Sequence, residues 1–201
     1  MKAELCNKIF ISVINQYHIN NDVDSSYVNP YDLDTLEYLL FKKCWIDTVQ
    51  WHLEDLIRNP NIDSNKGLEL KHRIDKSNQN RTDIVEKVDD YYFSIFKNAS
   101  EKDSKLNTES PGWVVDRLSI LNLKIYHMNE QVERKNVTAE HILNCEKKMV
   151  VLQNQRIDLS NSFDELLEEY KEGIKKMKVY RQMKMYNDSN LNPELYRKNN
   201  N

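Results

Sequence analysis

Four polar residues in one helical stretch, Lys43, Asp47, Gln50 and Glu54, recur at spacings of three and four among leucines and carry groups from which a buried site could be built. On a wheel at about 100° per residue they fall between Leu36, Leu39, Leu40 and Leu53, inside the apolar sector, with Trp51 at its border. The next periodic stretch behaves the same way. Arg81 falls near the centre of its apolar arc and Asn78 at the flank, beside a stripe of Lys71, Asp75, Thr82, Glu86 and Asp89. If the two stretches fold back on each other about residue 62 or 63, Asp47 comes level with Asn78, Trp51 with Ile74, and Glu54 or Asp55 with Lys71.

Two kinds of chemistry fit this set. Carboxylates, amides and a guanidinium converging between helices can hold a polar or anionic small molecule, with Arg81 gripping phosphate or carboxylate through parallel N–H bonds. The ligand-binding candidates on this reading are Asp47, Gln50, Trp51, Glu54, Lys71, Asp75, Asn78, Arg81 and Thr82. The same groups can instead satisfy one another, because an isolated buried charge is costly, and Asp47 with Arg81 and Glu54 with Lys71 supply opposite signs at matching heights. Residue types leave both readings open, and with them two function classes: a binding or interaction module, or a metal-dependent hydrolase of a phosphorylated small molecule or nucleotide.

No metal and no cofactor is expected. His52 falls beside Trp45 and Leu56, His72 lies on an outer face, and His18, His127 and His141 read as isolated. Cys6, Cys44 and Cys145 lie far apart with no paired spacing, so they read as reduced core residues. Asp83, Glu86 and Asp89 have the spacing of acidic helical ligands, but Asp83 points off the stripe, which favours a solvated face. Gly67, Gly112 and Gly173 stand alone, so no glycine-rich phosphate loop is present. Asp116 and Arg117 are expected to pair with near neighbours rather than join the cluster.

The elements that must position these groups are helices. Three Gly and four Pro in 201 residues, with 30% charged residues, suit long helices with wet faces. The pattern predicts an all-α, up-down bundle of about five helices with a long C-terminal one. The first covers Ala3 to Tyr17, and the second Thr35 to Arg58 with Asp34 as its cap, stopped by Asn59-Pro60. The third spans Lys66 to Phe96, and the fourth starts at Ser110-Pro111 and reaches about Arg134. A fifth begins at Thr138 and keeps a heptad rhythm for roughly 45 residues. One domain over 1–186 and a disordered Asn-rich tail over 187–201 complete the expected organisation.

The apolar residues between Met1 and Tyr17 are broken by Glu4, Asn7, Lys8 and Asn15, so neither a signal peptide nor a span is expected and the cytoplasm is the expected location. A net charge of −3 with interspersed signs gives no drive toward nucleic acid or membrane, and neither is expected as a partner. The basic run from Lys171 to Lys184 suits the end of a helix. A fourth helix of about 24 residues covers only half of its successor. Phe163, Leu166, Leu167, Tyr170, Ile174, Met177 and Tyr180 then need another surface, which predicts a homodimer through residues 163–183.

Asn29-Pro30-Tyr31, WIDTVQWHLEDLIRNPNID from Trp45, KHRIDKSNQNRTDIVEKVD from Lys71 and PGWVVDRLSILNLKIYHMNE from Pro111 resemble a bacterial all-helical domain family of unknown function. The resemblance spans about residues 29 to 135. It implies a helical intracellular bacterial protein and brings no activity, cofactor or catalytic residue with it. Glu86-x-x-Asp89 is also similar to the second half of the paired acidic motifs of the all-α nucleoside-triphosphate pyrophosphatases. The first half has no counterpart among Asp47, Glu54 and Asp55, so magnesium would lack a ligand.

Overall fold

The computed structural model describes residues 2–99, 103–186 and 188–197. Five long helices carry the fold: α1 Lys2–Asn20, α2 Leu36–Ile57, α3 Ser64–Phe96, α4 Pro111–Val132 and α5 Ala139–Lys171. Two short strands, β1 Lys105–Leu106 and β2 Lys175–Lys176, and a single turn of helix, α6 Pro193–Tyr196, complete the described elements. The chain is thus all-α, as its periodicity predicts.

The helix starts follow from capping chemistry. Thr35, not Asp34, caps α2: its hydroxyl accepts from the Tyr38 backbone N–H, one position later than the sequence pattern suggests. Asp63 caps α3 by accepting from the Asn65 and Lys66 N–H groups, and Thr138 caps α5 by accepting from His141. At α4 the cap residue Ser110 makes no such bond and donates to Asp89 Oδ2 instead, at 2.6 Å.

Contacts between helices give their directions. Cys44 Sγ meets the Phe10 carbonyl and His52 meets His18, a constant offset of 34 residues, so α1 and α2 run parallel, joined by the connector 21–35. Asp47 with Arg81 and Gln50 with Asn78 make α2 and α3 antiparallel. Arg81 with Asp116 and Asp89 with Gly112 do the same for α3 and α4. Asn7 with Ser160 and the Ala3 N–H with Asp164 set α5 antiparallel to α1. Helices α1, α2 and α4 therefore end at one end of the bundle, and α3 and α5 at the other.

The main core draws Phe10, Val13, Ile14 and Tyr17 from α1, Leu40, Phe41 and Cys44 from α2, Val88 and Tyr92 from α3, Leu118 and Leu123 from α4, and Phe163 and Tyr170 from α5. Each large apolar side chain so enclosed contributes about 1.5–3 kcal/mol. Leu53, Leu70 and Ile74 form a smaller cluster inside the α2–α3 hairpin. No helix among the described residues is long and apolar enough to cross a membrane.

Helix α5 is shorter than the heptad rhythm suggests, at 33 residues. Gly173, which follows the Glu172 cap, takes a left-handed φ of 74°, reached without a Cβ penalty, and turns the chain out of the helix. The chain then pairs β2 alongside β1 in parallel register, Lys105 with Lys175 and Leu106 with Lys176. The connection between α3 and α4 thus contributes a strand. Beyond β2, Arg181 bonds Glu86 and Asp90, and Lys184 donates to the Asn78 carbonyl, so this segment lies along α3. The basic run therefore pairs with acids of its own chain.

Phe163, Leu166, Leu167, Tyr170 and Met177 are buried within the chain, whereas Ile174 and Tyr180 are exposed. Most of the stripe that suggested a second copy is thus covered by the chain's own helices. In the tail, α6 forms at Pro193–Tyr196, and residues 187 and 198–201, also expected to be disordered, lie outside the described residues.

Candidate functional site

Lys43 and Asp47 lie one turn apart on α2, and their side chains are fully enclosed. Arg81 of α3 and Asp116 of α4 close a four-membered ring of alternating charge around them. Asp47 Oδ1 accepts from Arg81 Nε at 2.7 Å, and its Oδ2 pairs with Lys43 and accepts from Ser119 Oγ at 2.5 Å. Asp116 Oδ1 lies 2.8 Å from Lys43 Nζ and 3.0 Å from Arg81 Nη2. Two cations meet two anions, so the ring is neutral and every member has an opposite partner, which is how charges survive burial.

Electrostatics follow this arrangement. Burial opposes the Asp116 charge, yet the Lys43 ammonium and Arg81 guanidinium hold its carboxyl below the ordinary value of 3.8. Burial also opposes the Arg81 charge, and Asp47 and Asp116 outweigh it and raise that group above its usual value. A carboxyl depressed in the fold supports the native state above its unfolded value and loses that support as pH falls through the folded one. Asp116→Asn is therefore expected to be less stable than the parent near neutrality, with the gap closing as pH drops below 3.8; urea unfolding from pH 5 to pH 2 measures it.

Beside the ring a cleft of about 340 Å³ opens between α2, α3 and α4, with Gln50, Trp51, Glu54, Arg58, Arg81 and Ile120 on its walls. Asn78 Oδ1 accepts from Gln50 Nε2 at 2.7 Å and from Arg81 Nη1 at 3.4 Å, which fixes the Gln50 amide with its nitrogen toward Asn78. Gln50 Oε1 is left buried on the wall with no hydrogen-bond partner. Thr82 donates to the Asn78 carbonyl one turn earlier and braces that contact.

Of the residues singled out in the sequence, Asp47, Gln50, Trp51, Glu54, Asn78, Arg81 and Thr82 gather around the ring and its cleft. The Glu54–Lys71 pair does not form. Each finds a nearer partner on its own helix, Glu54 with Arg58 at 2.6 Å and Lys71 with Asp75, both on the wet surface, so Lys71 and Asp75 stand outside the cleft. Asp116 joins the ring rather than merely pairing locally, while Arg117 bonds Glu109 as the sequence suggests. Ser119, missed in the sequence, stands three residues after Asp116 on α4 and is fully buried.

The acidic motif of α3 divides between two tasks. Glu86 accepts from Arg181 and the Gln182 N–H. Asp89, whose carboxyl burial raises while bonds from Ser110 and Gly112 counter it, holds the start of α4. The half-match to pyrophosphatase magnesium ligands is thus occupied by structural contacts.

The histidines depart most from expectation. His18 and His127, read as isolated, and His52, placed beside Trp45 and Leu56, meet where α1, α2 and α4 end, with one ring nitrogen from each lying within 4.8 Å of the others. His18 stacks on Tyr126, His52 on Tyr17 and His127 on Trp51. Burial lowers the His18 imidazole, and burial with the neighbouring His127 and His18 brings His52 down to about 4.

A family model described as "Protein of unknown function (DUF4254)" matches residues 37–179, which take in α2 through β2 and all four ring residues. The chain belongs to the DUF4254 family. No curated protein and no solved structure matches it. Within the family span lie the cleft, His52 and His127, whereas His18 and α1 precede it.

Proposed function

We propose that this DUF4254 protein is a binding module for a small, hydroxyl- or amine-bearing polar molecule that occupies the cleft beside Gln50. The observation that carries the reading is the Gln50 carbonyl oxygen, buried on the cleft wall without a donor. A buried acceptor left unpaired costs about 1–3 kcal/mol, which a ligand O–H or N–H recovers on binding. Glu54 and Asp55 add acceptors and Trp51 adds aromatic surface, a combination suited to sugars, polyols and amino sugars.

An anionic ligand fits less well. The Arg81 Nε and Nη2 donors are committed to Asp47 and Asp116, and Arg58 is paired with Glu54. The alternative of a hydrolase acting on phosphorylated compounds at this cluster meets the same obstacle. Three free, buried cysteines suit a reducing compartment, which supports a cytoplasmic site of action.

Thermal unfolding against monosaccharides, sugar alcohols and amino sugars, with nucleotides and sugar phosphates alongside, tests the reading. A ligand at 100 times its Kd adds about 2.7 kcal/mol to native stability, a clear rise in Tm. The expected result is a saturable rise with an uncharged or amino sugar that Gln50→Leu removes while the variant stays folded. A rise confined to phosphorylated compounds, or one that survives Gln50→Leu, overturns it.

A further inference from the structure

We propose that His18, His52 and His127 form a three-histidine site for a divalent zinc-type metal ion, with an open coordination position facing solvent. The site shares Trp51 and Asp55 with the Gln50 cleft, but it is argued from other residues and does not depend on that reading.

Three rings arrive from three helices that run in the same direction, each from the last two turns of its helix. His52 Nε2 lies 3.1 Å from His18 Nε2, and all three donor nitrogens lie within 4.8 Å of one another. Tetrahedral zinc with Zn–N bonds near 2.0–2.1 Å separates its ligand nitrogens by roughly 3.4 Å, so the closest pair is already near that spacing and the third ring needs a shift of roughly 1.4 Å at most.

Two of the three outward nitrogens, those of His18 and His127, are held as metal-binding histidines hold them. His18 Nδ1 lies 2.7 Å from the Ile14 carbonyl, an oxygen that only accepts, so Nδ1 carries the proton and Nε2 a lone pair. His127 Nδ1 lies 2.6 Å from Glu130 Oε2, an oxygen that accepts its proton and leaves the lone pair on the buried Nε2. A carbonyl on one ligand and a carboxylate on another are the usual partners that orient zinc-bound imidazoles. His127 Nε2 is buried and has no hydrogen-bond partner. One proton shared between His52 and His18 satisfies those two and leaves His127 orphaned, whereas a cation at the centre satisfies all three lone pairs.

The surroundings complete a site of the open kind. A cleft lined by Asn21, Trp51, His52, Asp55, His127 and Glu130 reaches the cluster from solvent. Three protein nitrogens with a fourth position free for water is the ligand count of zinc sites that bind or activate a small molecule.

The test uses the full chain without a polyhistidine tag, stripped with chelator and titrated with zinc in competition with a chromophoric chelator. Cobalt(II) substitution is read by visible absorption. The expected result is one zinc equivalent per chain, tetrahedral cobalt bands and a higher Tm with metal. His52→Gln and His127→Gln should each remove all three effects while circular dichroism shows the native helix content, and His141→Gln should remove none. Glu130→Gln, which leaves the ligands in place, should weaken zinc about 10–100-fold. Folded protein that takes up no zinc overturns the proposal, as does stoichiometric uptake that persists in both glutamine variants.

Discussion

Asp47→Ala is expected to destabilise the protein by about 3–5 kcal/mol, because it leaves a buried ammonium without its nearest partner. Lys43 has no exposed side-chain surface, and Asp47 faces it, Arg81 and Ser119 at once. Losing one carboxylate leaves two cations against Asp116 alone and strands the Ser119 hydroxyl. The double variant Asp47→Leu with Arg81→Leu should recover most of the loss, because the Lys43–Asp116 pair at 2.8 Å survives in it as a neutral unit. Denaturant midpoints for the two single variants and the double measure the coupling. Additive losses would show that Asp47 and Arg81 do not act as a pair.

How much of this ring was legible follows from which helices it draws on. Asp47 and Arg81 interrupt the apolar arcs of adjacent helices joined by the short loop 58–63, so a wheel and a fold-back height bring them together. Asp116 and Ser119 enter from α4, across the long segment 97–110, and no wheel says which face of α4 meets α2. Glu54 and Lys71 failed for a different reason. Near the turn of the hairpin, partners one turn away on the same helix, Arg58 and Asp75, are closer than any partner across it.

The three histidines were hidden by chain direction. Residues 21–35 are polar and aperiodic, and nothing in them says that they carry the chain back so that α1 and α2 run parallel. Only with α1, α2 and α4 ending together do positions 18, 52 and 127 share one height. Periodicity reported the helices well, because each buries an apolar stripe, but it carries no information on relative direction when the connection is long. The same limit explains α5. Its apolar rhythm continues past Lys171 because Met177 is buried too, although the backbone there has left the helix at Gly173 and Met177 reaches the core from an extended segment.

Gly112→Ala should cost about 3 kcal/mol or more, at the upper end of what a single added methyl does in a packed interior. Gly112 stands in the first turn of α4, where that helix presses its backbone against α3. A Cβ there would overlap the Val85 carbonyl oxygen and come within 2.8 Å of Asp89 Oδ1. Neither neighbour can yield freely: Val85 O belongs to helical backbone, and Asp89 is held by the Gly112 N–H at 2.7 Å and Ser110 Oγ at 2.6 Å. Relief requires α4 to move away from α3, and four residues further along α4 that displacement reaches Asp116, which pairs with Arg81 across the same interface. Gly112→Ala should therefore lose stability and also reduce the coupling measured between Arg81 and Asp116, whereas Gly67→Ala, with its nearest neighbour at 3.9 Å on an exposed turn of α3, should leave both intact. Thermal melts of the two alanine variants, with an Arg81–Asp116 double-mutant cycle in the Gly112→Ala background, would show it; an unchanged cycle would mean that the α3–α4 contact and the charged ring are independent.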